Sequence, residues 1–526
     1  MHRAVALTLL LLAAATAFAA RPALPAIDPE TGLLLESDPV LQEIKKQAPR
    51  VEPAYAEWLQ HNSGQPMADI DAQWDPIQRL TNNSVTDYTA TTNHYGYQVA
   101  VDPSGRVHVA WMSYQTGGGT YSPQIYYKRW YPSTGWTSDT CISRDWATIG
   151  AAQQPTIAID SSGNVHLVWQ QTRSVAPTGS CILYKGCTPT SSGNGGWDAA
   201  ATRLSPDTVL HSHQVPVIAT TPNGNLHVVW YVFNSAAGYM LRYRERIGTA
   251  WQTRVTIDSG TSSYWFMWQP SVAGGRDNNV HVSFYGRLAA GGGSYYYPYY
   301  KGRFGGTWSA WQNATGVIGY CVGGPSITVN PTNNRVHLAW YGYGASLAIY
   351  RIMHKARLGT TASDTWQLVA DTVNGSETQW QYGRPCIAFT RNGLGHCVWY
   401  GPSPQSPNYY QIRYGERALN GAWSSPLDLT SGSFYYYYPS INNGGNGADS
   451  NAVHVVFSDQ SYGNYEISYM KGRPPAPNDI GVARIVAPLG IAGSGAMQPS
   501  AWVKNYGAKY NGEVPDALAT LAYDAT

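Results

Sequence analysis

Charge is what this chain has least of. Asp, Glu, Lys and Arg make up 13% of its 526 residues, about half the ~25% usual in soluble domains. The 34 basic and 32 acidic side chains nearly cancel, to +2. A chain this weakly charged has no basic stripe with which to hold a phosphate backbone, so nucleic acid drops out as a partner. Phenylalanine is scarce too, at 8 residues. The six cysteines, at 141, 181, 187, 321, 386 and 397, show no CxxC spacing of the zinc type; neither a metal nor a cofactor is expected. Beyond residue 19 no apolar run reaches the ~20 residues of a membrane-crossing helix, and no membrane span is expected.

What is abundant is of one kind. Tyr numbers 39 and Trp 20, alongside 54 Gly and 33 Pro. Tyr and Trp join an apolar body to a polar tip and suit part-wet surfaces. Gly and Pro at this frequency suit short strands joined by turns.

At the N-terminus His2-Arg3 precedes an apolar run from Ala4 to Ala15, then Ala17-Phe18-Ala19. This is the layout of a secretory signal peptide over residues 1–19, and it predicts a secreted protein. Export permits disulfides. Cys386 and Cys397 flank an Asn392-Gly393 turn, and Cys181 and Cys187 are close in sequence. Each pair is a candidate bridge, with buried free thiols as the alternative.

A repeat dominates the rest. Seven segments read His-apolar-x-Trp/Phe: His108 to Trp111, His166 to Trp169, His227 to Trp230, His281 to Phe284, His337 to Trp340, His396 to Trp399 and His454 to Phe457. The histidines are spaced by 58, 61, 54, 56, 59 and 58 residues. Each motif follows a turn such as Asp102-Pro-Ser-Gly105, and most of these turns follow a Pro-led apolar strand such as Pro155-Thr-Ile-Ala-Ile159. A Tyr-rich strand ending in Lys or Arg comes next, as in Ile125-Tyr-Tyr-Lys128, then a Trp-led fourth strand, as at Gly306-Thr-Trp308. Four short strands per unit and seven units predict an all-β fold, a seven-bladed β-propeller. The seventh unit stops after three strands, while Gln73-Trp-Asp-Pro-Ile-Gln-Arg-Leu-Thr81 reads as a fourth strand without its first three. The N-terminal strand is therefore expected to close the last blade, which removes the open sheet edge.

The predicted division is a signal at 1–19, an arm at 20–72, the propeller at 73–473, a Pro-rich linker at 474–478 and a β segment at 479–526. Through Asn478-Asp-Ile-Gly-Val482 and Val503-Lys-Asn-Tyr-Gly507 that last segment resembles the start of a CARDB-type immunoglobulin-like domain, at about half the ~100 residues of a full sandwich. The repeat units resemble the sialidase-type, BNR-like propeller superfamily, through their strand–turn–strand signature and the Gly305-Gly-Thr-Trp-Ser309 turn. The family's Asp-box is degenerate here: only its Gly and Trp end survives. The broad group includes ulvan-type lyases and lectins, so the resemblance implies a fold more than an activity.

Whatever recurs in all seven units belongs to the scaffold; whatever breaks the repeat is a candidate for function. The seven motif histidines recur and read as structural, as do Asp102 and Asp160 in their turns, Glu245 and Glu416. Propeller sites lie on the face formed by the loops leading into the first strands and those joining second to third. There the repetition fails, and there the Tyr and Trp surplus is expected to gather. The expected sugar-binding set is Arg144, Trp146, Arg173, Trp265, Trp268, Tyr285, Trp380, Tyr382, Tyr435 and Tyr437. Aromatic planes with polar groups between them suit sugar rings, whose faces are apolar and whose rims hydrogen-bond. Packing of the loops on one another, or a protein partner, are the other roles such residues take.

Catalysis needs more. A glycosidase uses two carboxylates, and only Glu245, Glu377, Glu416 and Glu466 occur between residues 82 and 473. A uronate lyase needs a cation on the carboxylate and a base for the α-proton. His211, His213, Arg287, Arg384 and Glu377 are the catalytic candidates. The sequence thus predicts a secreted propeller that binds polysaccharide or glycoconjugate. The alternatives are a carbohydrate-active enzyme, lyase before hydrolase, and an adhesion module held at a cell surface through its C-terminal segment.

Overall fold

The computed structural model describes residues 73–90, 96–114, 122–146, 150–173, 179–205, 212–234, 238–259, 264–288, 296–315, 321, 323–343, 350–375, 383–419, 421–445, 450–473, 480–487, 500–505 and 517–520. The signal peptide, the arm and the linker of the sequence reading lie outside these residues. Seven antiparallel sheets follow one another along the chain, and their first strands touch in a closed ring. Blade two shows the plan: Ala152–Ile159, Val165–Arg173, Gly179–Cys187 and Thr202–Arg203, paired in sequence order. Blade seven takes three strands, Tyr436–Asn443, Val453–Asp459 and Glu466–Arg473, from the end of the ring. Its outer strand comes from the beginning: Gln73–Trp74 and Gln78–Arg79 both pair with Glu466–Arg473. The protein is a seven-bladed propeller closed by its N-terminal strand. Strands Ile480–Ala487, Ser500–Asn505 and Ala517–Thr520 form a separate antiparallel sheet.

The repeated motif explains how the blades hold together. Each motif histidine meets the third strand of its own blade through Nδ1. The partner is a tyrosine hydroxyl in six blades: Tyr127, Tyr184, Tyr243, Tyr300, Tyr414 and Tyr469, at 2.6 to 2.9 Å. In blade five it is His354 Nε2, at 2.9 Å. In four blades Nε2 reaches the preceding turn, at Asp102, Asp160, Thr221 and Thr390. Burial lowers His108 to about 4 and His227, His281 and His396 to about 3, so these rings are neutral.

On the third-strand ring rests a tryptophan of the next blade. Trp197, Trp251, Trp308, Trp366, Trp423, Trp74 and Trp136 lie edge-to-face against Tyr127, Tyr184, Tyr243, Tyr300, His354, Tyr414 and Tyr469, with centroids 4.9 to 5.3 Å apart. The ring of contacts is complete. Trp74, from the N-terminal strand, fills the place that blade seven's own chain leaves empty. Because strand side chains alternate, the residue after the third-strand ring, a Lys or Arg in blades one to five, points the other way. Lys128, Lys185, Arg244, Lys301 and Lys355 accordingly donate to carbonyls of the preceding blade, at Leu80, Ile142, Leu204, Ile257 and Thr315. The Tyr-Lys pairs read in the sequence are two-sided clamps.

Five motif tryptophans, Trp111, Trp169, Trp230, Trp340 and Trp399, are fully buried between blades. With the seven edge-to-face tryptophans they account for twelve of the chain's 20. The expectation that the aromatic surplus gathers on one face therefore needs correction: most of the tryptophan, and six of the tyrosines, build the ring. The proposed disulfides are corrected too, since all six thiols are free. Cys386 stands opposite Val398 and Cys397 opposite Ile387, so the two point to opposite faces of the sheet. Cys181 and Cys187 lie six residues apart on one extended strand, too far to bridge.

Trp74→Ala removes the aromatic contact that closes the ring. It should lower the free energy of unfolding by about 2–4 kcal/mol, measured by urea denaturation, whereas Ile77→Ala, at an exposed neighbour, should change it by less than about 0.5 kcal/mol.

Candidate functional site

The first strands carry a recurrent kink. Gln154, Val215, Gln269 and Tyr438, each directly before a proline, have φ of 57°, 53°, 51° and 52°. The strand pairing shifts at the same places. A non-glycine residue in this region costs about 1–3 kcal/mol and persists only where its surroundings hold it. Here the next blade does so. Gln154 Oε1 accepts the Val215 N–H at 3.2 Å, and Gln269 Oε1 accepts the Gly324 N–H. Arg384, which also precedes a proline, sits 5.9 Å from the centroid of the Tyr438 ring. One residue past the proline, Ser271, Ser326 and Ser440 each accept a main-chain N–H of the following blade, from Ile327, Ile387 and Gln98. An inner ring of small polar groups thus fixes the rim of the central channel. Tyr97 crosses that channel, its hydroxyl 3.0 Å from the carbonyls of both Ile327 and Ile387. Beyond it, on the opposite face, lies a cavity of about 520 Å³.

At Tyr438 the kink makes a site. Along an ordinary strand Tyr435 and Tyr437 share one face and Tyr436 the other. Tyr436 is indeed buried, against Phe457. The bulge re-aims Tyr438, so it contacts Tyr437 at 5.5 Å, Tyr400 at 5.7 Å and Tyr88 at 6.1 Å. Tyr435 and Tyr437 are nearly parallel, at 15° and 6.1 Å. Tyr410 lies at 5.5 Å from both, and Tyr465 at 5.8 Å from Tyr437. The result is a half-buried tyrosine wall running from blade six across blade seven to blade one. Burial raises Tyr88 to about 12 and pushes the Tyr437, Tyr438 and Tyr465 phenols upward. All stay neutral, and a neutral phenol can both donate and accept; Tyr437 and Tyr465 share one such hydrogen bond.

Three carboxylates lie beneath this wall. Asp459 accepts from Ser461 N and Ser468 Oγ, both at 2.8 Å. Glu466 accepts from Arg79 at 2.9 Å, from Asn83 N at 3.1 Å and from Thr81 Oγ1. Asp87, wholly buried on the strand Asp87–Tyr88, accepts from Asn83 Nδ2 at 2.8 Å. Burial raises its pKa to about 6, with Glu466's charge adding to the rise and hydrogen bonds from Ser113, Asn83 and Thr81 opposing it.

The structure brings together three of the predicted residues: Arg384, Tyr435 and Tyr437. It adds Tyr88, Tyr410 and Tyr465, which the sequence reading passed over; the clue was that Tyr409-Tyr410 and Tyr465 flank loops of the same set. Tyr285 and Arg287 belong elsewhere on this face, with Tyr285 stacked on Tyr296 at 4.7 Å and 12° and Arg287 over the same ring at 5.9 Å. Trp268 is half-buried and meets Tyr239 at 5.8 Å. Arg144 is exposed in a short 3-10 turn, and Arg173 ends a second strand. Asp145, beside Arg144, pairs with Lys185 at 3.2 Å and braces blade one on blade two. His213 is buried, and its Nδ1 accepts Trp230 Nε1–H at 2.9 Å. The neutral ring therefore carries its proton on Nε2. Trp146 and Trp265 are placed by their backbone alone, while His211, Glu377, Trp380 and Tyr382 lie outside the described residues. Glu245 bridges to Arg303 and Glu416 accepts from the Tyr414 hydroxyl, both inside the scaffold. Among the described residues no three His, Cys, Asp or Glu stand where they could hold a metal, and no helix is long and apolar enough to cross a membrane.

Asp87 gives the fold a pH signature. Its folded-state pKa, about 6 against an ordinary 3.8, means that the folded chain holds the proton more tightly. The stability it contributes is complete below pH 3.8 and is lost as pH rises through 6. From about pH 4 to about pH 8 the wild type should lose on the order of 3 kcal/mol relative to Asp87→Asn, followed as the difference between their unfolding curves. A difference that does not change with pH would contradict this assignment.

No protein-family model matches the chain, and no curated protein matches it. Among solved structures it is similar in fold to the α-L-arabinofuranosidase of Fusarium graminearum, at 13% identity over 61% of this chain and 93% of that one, with a TM-score of 0.42. It is similar to an ulvan lyase at 13% identity over 73% and 95%, with a TM-score of 0.47. It is also similar to a Hadza microbial sialidase, at 11% identity over 73% and 66%, with a TM-score of 0.41.

Proposed function

We propose that this protein binds a polysaccharide or glycoconjugate along the tyrosine wall of blades six, seven and one. The observation that supports this most is the pair Tyr435 and Tyr437, parallel and half-exposed, backed by further phenols rather than by aliphatic core. Parallel aromatic faces fit the apolar faces of successive sugar rings, and neutral phenol hydroxyls at the margin fit their hydroxyls. Arg384 is buried under Tyr438, so it stiffens the wall rather than reaching into solvent. Arg287, half-exposed beside the Tyr285–Tyr296 stack, is the better group for a sugar acid. Secretion, and a surface tether through the three-stranded C-terminal segment, belong to the same reading. Binding is preferred over catalysis because Glu466 and Asp459 are tied into structural hydrogen bonds and His213 Nδ1 is already occupied.

The test is retention on immobilised neutral and uronic-acid polysaccharides. Wild type should be retained by at least one. The double variant Tyr435→Ala, Tyr437→Ala should bind that glycan at least about tenfold more weakly, the loss of about 1–3 kcal/mol for two stacking rings, with an unchanged melting temperature. Equal retention of variant and wild type would sink the wall as the site. Release of reducing ends or unsaturated products would put the alternative, enzymatic reading ahead of binding.

A further inference from the structure

One feature recurs in some blades and lapses in others. In blades three to six the residue after the motif aromatic is a tyrosine: Tyr231, Tyr285, Tyr341 and Tyr400. On the third strand these stand opposite Leu241, Pro298, Ile352 and Ile412. Two residues before each of those partners comes a second tyrosine: Tyr239, Tyr296, Tyr350 and Tyr410. Diagonal neighbours of this kind share one face of a sheet. The two rings meet in every case, with centroids 6.3, 4.7, 5.3 and 5.9 Å apart. The first tyrosine of each pair is buried and the second is half-buried. Blade seven keeps the half-buried member as Tyr465. There Ser458 takes the backing position, opposite Ile467, and Tyr437 supports the ring instead, at 5.8 Å.

Blades one and two break the series. Met112 and Gln170 stand opposite Ile125 and Ile182, and two residues before those partners come Pro123 and Ser180. A blade therefore forms without these tyrosines, so building the ring does not account for them.

Five half-buried tyrosines, Tyr239, Tyr296, Tyr350, Tyr410 and Tyr465, thus hold one position in five consecutive blades. All stand where the third strand begins, on the face that carries the tyrosine wall. Each leans toward the next blade. Tyr239 meets Trp268 at 5.8 Å, Tyr410 meets Tyr437 at 5.5 Å and Tyr465 meets Tyr88 at 5.1 Å. Tyr296 packs on the core that includes Ile327, and Tyr350 on the core that includes Ile387. Packed sheets lie about 10 Å apart, so the five junctions describe an arc of about 40 Å, with a phenol for about every two sugar rings of an extended chain.

We propose that these five tyrosines form one curved track, and that its ligand is a long, unbranched polysaccharide held along an internal stretch rather than at a chain end. The proposal rests on the sugar-binding reading of the wall, which contributes Tyr410 and Tyr465; Tyr239, Tyr296 and Tyr350 carry the track beyond it.

Titration calorimetry on the full chain tests this with size-fractionated oligomers, from dimer to decamer, of laminarin and of polygalacturonate, a neutral and a uronic-acid chain. In at least one series the octamer should bind at least about tenfold more tightly than the tetramer, because more rings are covered. The double variant Tyr296→Ala, Tyr350→Ala should weaken the octamer at least about fivefold more than it weakens the tetramer. Tetramer binding by that variant also reports that its fold is intact. Tyr435→Ala with Tyr437→Ala should weaken both lengths. Tetramer and octamer of equal affinity, both weakened by Tyr435→Ala with Tyr437→Ala, would overturn the track and leave the wall standing. No effect of Tyr435→Ala with Tyr437→Ala on either length would overturn the wall, and the track with it. Equal losses at both lengths in Tyr296→Ala, Tyr350→Ala, or no binding by either series, would also overturn the proposal.

Discussion

Seven times around the ring, a tryptophan of one blade meets edge-to-face a third-strand ring of the blade before it, and that ring is in turn hydrogen-bonded to the motif histidine. Everything else in the propeller is arranged around this relay. It ties three strands and two blades at one point, and it uses each aromatic residue for area as well as geometry, worth about 0.5–1.5 kcal/mol per pair beyond burial. Burial keeps the imidazole neutral in His108, His227 and His396. The relay also explains a weakly charged composition: contacts between blades run through rings and carbonyls more than through ion pairs. Trp74 makes the same contact from the far end of the chain, so the ring closes with the interaction that builds it.

The relay fixes the outer part of the blades, and the hydrogen bonds just past the prolines fix the inner part. Between these two rings a strained residue can be held in place. At Tyr438 that strain has a visible consequence: two consecutive tyrosines turn to one side and join those of blades six and one in a continuous surface. The wall is thus a local departure from a rule that the other first strands use for packing alone. Blade five departs in another way. Exchanging a tyrosine for His354 keeps the relay, with Trp423 still against the ring, and gives that ring a second partner in Asp371, 3.0 Å from its Nδ1.

Much of the fold was legible in the sequence. The histidine spacing counted the blades, and Gln73 to Thr81 declared the closure, because both depend on patterns along the chain. The scaffold role of the histidines was legible for the same reason. The partners of Tyr127 or Tyr184 were not, since each lies on the next blade, about one repeat away. Nor could composition tell a scaffold tryptophan such as Trp251 from one free to meet a ligand, and so too much of the aromatic surplus was assigned to one face. Cys386 and Cys397 looked like a hairpin pair until the register placed them a residue apart. The site was legible as a face, through loops where the repeat fails, and less so as residues. Arg384, Tyr435 and Tyr437 converge because Tyr438 adopts a backbone conformation that a tyrosine before a proline gives no reason to expect.

The central claim is that residues repeated in every blade hold the ring, while the breaks in the repeat at Tyr435 to Tyr438 meet the ligand. A crystal structure of the protein with an oligosaccharide of the glycan it retains tests this most directly. Sugar rings lying against Tyr435 and Tyr437, with the seven tryptophan contacts unmoved, is the predicted result. A sugar seated on the opposite face, or against Trp251 or Trp308 at the rim, would contradict the account.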